Sequence, residues 1–353
     1  MRRKATYLFV MMAMMCAVNV QAQEPYTVYD ETASKLTYYY DTDKVQRGGK
    51  ALGEESEMSE IRVAEFDASF ANYKDLTSTA FWFMGCVKLK EIIGIEYLNT
   101  ENVTEMNEMF NACAKLTKLD LSHFKMDKVE NMGSMFWGCY NLEELNISGW
   151  NTKSATSMFG LFAQCPKLTD LDLSGFDTRN VTTMAFMFNG DKGLTHLDLS
   201  GWSTENLQTT HFMFSDCENL ETLDLSGWNT PNMTEIFNMF SSCKMLTTIY
   251  VDSGWTVEKS LTEQGTLNMF FDCYSLVGGQ GTCYDGEHLD NTYACIDGGA
   301  SAPGYLTFKE YVGIQRVTTD DQKSQTVYSL SGQRLTAPRK GVNIIGGRKV
   351  LVK

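Results

Sequence analysis

Three residues of one short segment, His196, Asp198 and Ser200, have the side-chain types of a catalytic triad. They alternate along a segment predicted to be a β-strand, so they point to the same side and successive members lie about 6.6 Å apart. Proton transfer requires heavy atoms within about 2.6–3.2 Å of each other. The remaining histidines occupy unrelated positions and pair with no nucleophile. The sequence therefore predicts that the protein is not an enzyme.

Cysteine recurs at one position of a repeating pattern. The members of this cysteine ladder are Cys86, Cys113, Cys139, Cys165, Cys217, Cys243 and Cys273. Asp191 stands where a further cysteine would fall. Neighbouring ladder positions are close enough for disulfides, but they fall beside Phe and Leu positions, which favours buried thiols that pack as small apolar groups. No Cys-x-x-Cys motif occurs and histidine is scarce, so the sequence predicts no metal site.

Acidic and polar residues occupy the outward positions of the predicted strands, on what we expect to be an exposed concave sheet. The candidate binding residues there are Asp120, Glu144, Asn146, Asp170, Asp172, His196, Asp198 and Asp224. Three interpretations stay open: a solvated acidic face, a docking surface for a basic partner, and weak calcium capture by adjacent Asp pairs, because Ca²⁺ prefers carboxylate oxygens. No other cofactor is predicted. Inward-pointing side chains at these positions would mean a strand register wrong by one residue.

The charge is strongly acidic and unevenly distributed. The formal net charge is -14, and removal of Arg2, Arg3 and Lys4 with a signal segment would change it to -17. Eight Lys/Arg and two Asp give residues 315–353 a net charge of +6, which leaves -23 for residues 23–314. Such a body would repel phosphates, so nucleic acid and anionic membrane surfaces are excluded as partners.

The first 22 residues have the features of a secretory signal peptide: a basic start, an apolar run and a small-residue cleavage site before Gln23. Lipidation at Cys16 is the less favoured alternative, because bulky methionines precede it. No other segment has the length of a membrane span. In an exported protein, Cys283 and Cys295, which lie off the ladder, are candidates for a disulfide bridge.

A repeat of about 26 residues dominates the middle of the chain. One aromatic position recurs as Phe83, Phe110, Phe136, Phe162, Phe188, Phe214, Phe240 and Phe270. A constant period of this length is typical of a solenoid. Each repeat contains Leu-x-x-Leu-x-Leu, whose last pair alternates as in a half-buried strand, and Val-x-x-Met-x-x-Met-Phe, which fits one face of a short helical return. We therefore predict an α/β leucine-rich-repeat solenoid of about eight coils.

Segments without the repeat lie on both sides of it. We predict a signal peptide at residues 1–22, a small N-terminal β cap at 23–66 and the solenoid at 67–280. Residues 281–311 then form a C-terminal cap segment, and residues 312–353 form a tail of β-hairpins. Caps are expected because an array of coils has apolar ends that need covering.

The repeat Asn-Val-Thr-x-Met-x-x-Met-Phe-x-x-Cys-x-x-Leu-x-x-Leu-x-Leu-Ser, clearest at residues 102–122 and 180–200, resembles the BspA-like leucine-rich-repeat surface proteins of anaerobic bacteria. Residues 327–353 resemble the C-terminal sorting sequences of such bacteria. The resemblance implies a secreted or surface-displayed adhesin-like protein that binds extracellular proteins or glycans, and it transfers no binding residues. Asp191 and Thr210 depart from the repeat. The alternatives are a purely structural envelope protein and, less favoured, a secreted hydrolase with an unrecognised site.

Overall fold

The computed structural model describes residues 22–55, 58–257 and 266–309, together with the backbone of four short strands between residues 327 and 352. The predicted signal peptide, apart from its last residue, lies outside the described residues. Most of the predicted tail also lies outside them. Within the described ranges, no helix is long and apolar enough to cross a membrane.

The N-terminal segment forms a β-hairpin that continues the sheet of the solenoid. It contains β1 (Glu24–Asp30), β2 (Lys35–Asp41), a single helical turn α1 (Lys44–Arg47) and β3 (Lys50–Ala51). β1 pairs with β2 and β3 in antiparallel fashion, whereas β2 pairs in parallel with β4 (Val63–Phe66). Tyr38 of β2 stacks on Phe66 and Trp82, and so covers the apolar start of the array.

The predicted solenoid of about eight coils is confirmed. The eight repeating phenylalanines, from Phe83 to Phe270, stack ring on ring through the core, with centroids 5.5–5.8 Å apart between neighbours. All eight are fully buried. We number the coils 1 to 8 by these residues, in chain order. Each coil alone exposes an apolar edge, and stacking removes that edge from water.

Most coils contribute a parallel strand on the same side of the solenoid, and we call this side the strand face. After β4 its strands are β5 (Glu91–Ile93), β6 (Lys118–Asp120), β7 (Glu144–Asn146), β8 (His196–Asp198), β9 (Thr222–Asp224), β10 (Thr248–Val251) and β11 (Leu306–Phe308). Equivalent residues of consecutive repeats pair, as Leu197 does with Leu223. The sheet is continuous from β8 to β11, but β6 and β7 form a separate pair.

The helical return predicted for each coil is wrong. The Val-x-x-Met-x-x-Met-Phe segments are successions of tight turns, and each coil holds two residues with positive φ four positions apart, such as Ser134 and Gly138. Left-handed residues at this spacing exclude an α-helix. The turns are instead joined between coils by backbone bonds, for example from the Phe136 N–H to Leu161 O at 3.0 Å. Apolar spacing of three to four residues suits such turns as well as a helix.

The cysteine ladder consists of buried free thiols, as the packing argument predicts. Each thiol after the first donates a hydrogen bond to the stacked phenylalanine carbonyl of the preceding coil, as Cys139 does to Phe110 O at 3.2 Å and Cys217 to Phe188 O at 3.0 Å. A thiol combines small apolar volume with a weak donor, so it fills this position and satisfies a buried carbonyl.

Thiol reactivity tests this arrangement. Only Cys283 and Cys295 are exposed among the described cysteines, and burial raises the pKa of ladder thiols such as Cys165. We expect a thiol reagent to label Cys283 and Cys295 in the native mature chain and the ladder only after unfolding, because the thiolate is the reactive form. Cys283 should react first, because burial raises the pKa of Cys295. Rapid labelling of ladder cysteines, read by mass spectrometry, would contradict the assignment.

The C-terminal segment covers the last coil. Tyr305 is fully buried with its ring 5.1 Å from that of Phe270, and the Trp255 indole donates to Ala294 O at 2.9 Å. The predicted bridge between Cys283 and Cys295 is not formed: both thiols are free and exposed, and each points to carbonyls of its own loop.

The tail contains a separate antiparallel sheet. Its strands are β12 (Val327–Tyr328), β13 (Arg334–Leu335), β14 (Gly341–Ile345) and β15 (Arg348–Val352). They are ordered β13-β12-β14-β15, and β14 and β15 pair over their full length.

Candidate functional site

The strand face exposes most of the predicted binding residues. The inward leucines Leu119, Leu197 and Leu223 are buried, and polar residues on either side of them point outward. Seven of the eight candidates are exposed, and these are Asp120, Glu144, Asn146, Asp170, Asp172, His196 and Asp198. Glu144 pairs with Lys118 at 2.5 Å, an exposed ion pair of small energetic weight.

Asp224 differs from the prediction because it is covered. Only 8% of this residue is exposed. Lys309, the residue after β11, forms an ion pair with the Asp224 carboxylate. The Lys309 ammonium also lies 5.5 Å from the centre of the Tyr250 ring, and its backbone N–H donates to Val251 O. The contact joins residues 85 positions apart, so no local pattern could indicate it.

Three of the exposed aspartates stabilise the turn that follows the strand position in their own coil. Asp120, Asp172 and Asp198 each accept a hydrogen bond from the backbone N–H two residues later, at 3.0 Å. This is an Asx turn, which the Asp-Leu-Ser triplets could have indicated. Hydrogen bonds from the serine of each turn lower the pKa of all three carboxyls, so they are ionised at neutral pH. Asn146 makes the same turn with Ser148 without a charge.

The strand face is interrupted at coil 4. Residues 169–173 form no strand, although the sequence repeats the Leu-x-x-Leu-x-Leu pattern there. The edges of β7 and β8 that face this segment are therefore unpaired within the described sheets. A second interruption, between β5 and β6, coincides with the 27-residue step of the repeat. On the opposite side of coil 4 the bonds between coils persist, as from the Phe162 N–H to Met187 O.

Asp191 changes the hydrogen bonds of the turn that precedes this interruption. In coil 3 the Cys139 N–H donates to Phe136 O within its own turn, but in coil 4 the Cys165 N–H donates to Asp191 Oδ1 at 2.8 Å. A thiol is also missing at position 191, so neither of the usual donors reaches Phe162 O. The turn that precedes residues 169–173 therefore lacks the hydrogen bond from the cysteine N–H to the phenylalanine carbonyl that coil 3 has.

Side-chain hydrogen bonds between coils also differ around coil 4. Asn141 and Asn219 each donate to a carbonyl of the preceding coil at the corner before the strand. Lys167 and Gly193 occupy the equivalent positions around coil 4, where no such bond forms among the described residues. A Cβ at Gly193 would lie 2.2 Å from Leu168 O, so this close corner requires glycine.

A cleft lies between coils 4 and 5, beside the interruption, and we call it the coil 4/5 cleft. Its volume is about 350 Å³, within the range of about 300–1,000 Å³ typical of ligand clefts. Its polar lining includes Asp170, His196 and Asp198, and its apolar lining includes Leu171, Leu197, Phe176 and Trp202. The Phe176 and Trp202 rings are stacked, with centroids 6.1 Å apart. Asp170 also lines an adjoining depression beside β6 and β7.

Within the described residues, the contacts of His196 in the cleft are with Thr195 and Glu221. His196 Nδ1 lies 3.0 Å from Thr195 Oγ1, and its Nε2 lies 3.9 Å from Glu221 Oε2. Among the residues that the structure describes, no three His, Cys, Asp or Glu side chains form a group able to hold a metal ion. Weak calcium capture by Asp pairs stays a prediction.

Comparison with known proteins gives the family. No curated protein matches the sequence. A crystal structure of a leucine rich cell surface protein from Faecalibacterium prausnitzii A2-165 is similar, at 14% identity over 71% of this chain and 91% of that chain. Its TM-score of 0.19 is too low to transfer any feature. The sequence family described as "Mycoplasma protein of unknown function, DUF285" matches residues 56–171 and 156–276. These two matches span most of the solenoid, and the chain belongs to this family.

Proposed function

We propose that the protein is exported, displayed at the cell surface or secreted, and binds an extracellular protein or glycan through the strand face. It acts as a non-enzymatic adhesin of the BspA-like type. The observation that carries the proposal is the row of exposed carboxylates on the strand face, of which Asp170 and Asp198 line an open cleft, on a scaffold whose inward repeated positions form the core.

The charge and the architecture support this function. The acidic body would repel nucleic acid and anionic lipid but attract basic surfaces. Stacked coils hold side chains of the strand face at fixed spacing, so a partner loses little free energy in ordering them. A purely structural envelope role would leave the strand face without a saturable ligand.

A binding screen tests the proposal. The mature chain from residue 23 to 353 is presented to immobilised extracellular-matrix proteins, glycans and whole cells, and binding is measured by biolayer interferometry. We expect a saturable ligand whose affinity falls at least about tenfold when Asp170, Asp172 and Asp198 are replaced by Asn, because charge-assisted contacts are lost.

The matched control removes the same charge elsewhere. Glu101, Glu130 and Glu205 are exposed and lie outside the strand face, so Gln at these positions should leave the affinity unchanged. Equal weakening by both triple variants would mean attraction by net charge alone. Absence of any saturable ligand would favour the structural role.

A further inference from the structure

We propose that a cavity where the N-terminal cap meets coil 1 binds a small methylated ammonium ion, of the chemical class of choline. We call it the cap cavity. Its volume is about 220 Å³, and it is lined by Tyr38, Leu52, Gly53, Glu55, Met58, Ala80, Phe81 and Trp82. None of these is a candidate binding residue of the strand face, so the inference is independent of the proposed function.

The cap cavity contains a carboxylate without a cationic partner. Glu55 is partly buried, and its Oε1 accepts a hydrogen bond from Thr27 Oγ1 at 3.0 Å. Glu60 in the same cap pairs with Lys88, but within the described residues no ion pair reaches Glu55. Burial, and after it the charge of Glu55, raises the pKa of Tyr38, so the carboxylate lies near that side chain. Because a partly buried charge is stabilised by an opposite charge, the cavity favours a cation.

Aromatic side chains form another part of the wall. Phe81 is 50% exposed, and its ring stacks on no other aromatic ring of the described chain. Trp82 is only partly buried, whereas the rings that contact it, those of Tyr38, Phe66 and Phe70, are buried in the core. The exposed part of Trp82 therefore lies away from the core. Aromatic ring faces attract cations, and this attraction strengthens where water is excluded.

The lining favours a methylated ammonium over lysine or arginine. Leu52, Met58 and Ala80 add apolar surface, and one oxygen of Glu55 already accepts from Thr27. A lysine ammonium brings three N–H donors and a guanidinium five, and donors left without acceptors cost free energy. Methyl groups remove these donors and keep the positive charge. The cavity is also smaller than the range of about 300–1,000 Å³ typical of drug-sized ligands, which suits a small ion.

The test is a calorimetric titration of the mature chain, residues 23–353, with choline. We expect saturable binding, and at least about fivefold weaker binding by E55Q, because the ion loses its opposite charge. Gln keeps an acceptor for the Thr27 hydroxyl, so the cap stays folded. E54Q is the matched control: it removes the same charge from the neighbouring exposed residue, and should leave the affinity unchanged.

A second variant tests the aromatic wall. F81N removes the ring, and we expect at least about threefold weaker binding of choline. Asn238 and Asn268 occupy the equivalent turn position of coils 7 and 8 with positive φ, as Phe81 does in coil 1, so the turn accepts asparagine. Circular dichroism checks that the variants are folded. Unchanged affinity in folded F81N would show that the aromatic wall does not contact the ion, and would overturn the proposal.

Three further ligands separate charge, shape and source. The uncharged tert-butyl analogue of choline has the same shape and should not bind, and ethanolamine, which has N–H donors, should bind more weakly. Phosphatidylcholine vesicles should not capture the chain in sedimentation, because each headgroup brings a phosphate towards Glu54 and Glu55. No saturable choline binding, equal binding of the uncharged analogue, or equal affinities of E55Q and E54Q would overturn the proposal. Capture by vesicles would assign the site to a lipid headgroup and overturn the free ion as its ligand.

Discussion

Replacement of Asp191 by cysteine is expected to raise the free energy of unfolding at neutral pH by about 1–3 kcal/mol, the usual cost of a buried polar group without a partner. Asp191 is fully buried in the cysteine ladder, and its Oδ2 has no hydrogen-bond partner. Its Oδ1 takes the Cys165 N–H away from the turn in which the other coils use it. D191C returns the repeat to its regular residue and offers Phe162 O a thiol donor.

The same substitution should change the pH dependence of stability. Burial raises the pKa of Asp191 well above its usual value, so the folded protein keeps this proton at pH values where the unfolded chain has lost it. The contribution of Asp191 to stability is therefore greatest below about pH 4, the pKa of an unfolded aspartate, and it falls by about 1.4 kcal/mol per pH unit as the pH rises towards the folded-state pKa. D191C and D191N should both lack this decline.

Urea unfolding of the mature chain between about pH 4 and 8 measures the effect, since both midpoint and slope are read from circular dichroism. D172N is the control, because the Asp172 carboxylate is exposed and its pKa is lowered by the Ser174 turn. The Asp172 carboxylate contributes to the free energy of unfolding above its unfolded-state pKa, and this contribution is lost only as the pH falls below about 4. A wild-type profile parallel to that of D191C would show that Asp191 carries no raised pKa.

Periodicity in the sequence predicts the solenoid because each coil repeats the same local contacts. The 26-residue step of the phenylalanines fixes the core, and the alternation around Leu197 fixes which side chains point outward. The helical return failed for a physical reason: a stripe of apolar residues three to four apart fits tight turns equally well. Glycine at positions such as Gly85, Gly138 and Gly190 signals positive φ and could have distinguished turns from a helix.

The exposure of the candidate binding residues was predictable from the sequence only where the alternation of a single strand determines it. Exposure of Asp120 and Asp198 follows from the period of two, whereas the cover over Asp224 depends on a lysine far along the chain. The irregularity at Asp191 is visible in the sequence. Its consequence, the diversion of the Cys165 N–H to the Asp191 carboxyl, requires knowledge of which groups meet between coils.

Replacement of Phe136 by alanine is expected to lower the free energy of unfolding by about 3–5 kcal/mol, the usual cost of a cavity left by a buried aromatic ring. The Phe136 ring is fully buried and stacks on Phe110 and Phe162, each with centroids 5.8 Å apart, so one deletion weakens two interfaces between coils. In a solenoid, stability is approximately a sum over such nearest-neighbour interfaces.

The control for F136A is the same substitution at an exposed phenylalanine. Phe271 is 43% exposed, so F271A removes the same side chain and should change stability by less than about 0.5 kcal/mol. Urea unfolding followed at once by tryptophan fluorescence and circular dichroism should show the two probes diverging in F136A, because a weakened central interface lets the array unfold in parts. A loss below about 1 kcal/mol would mean that neighbouring coils close the cavity, and that the stacked rings contribute less to the fold than their burial implies.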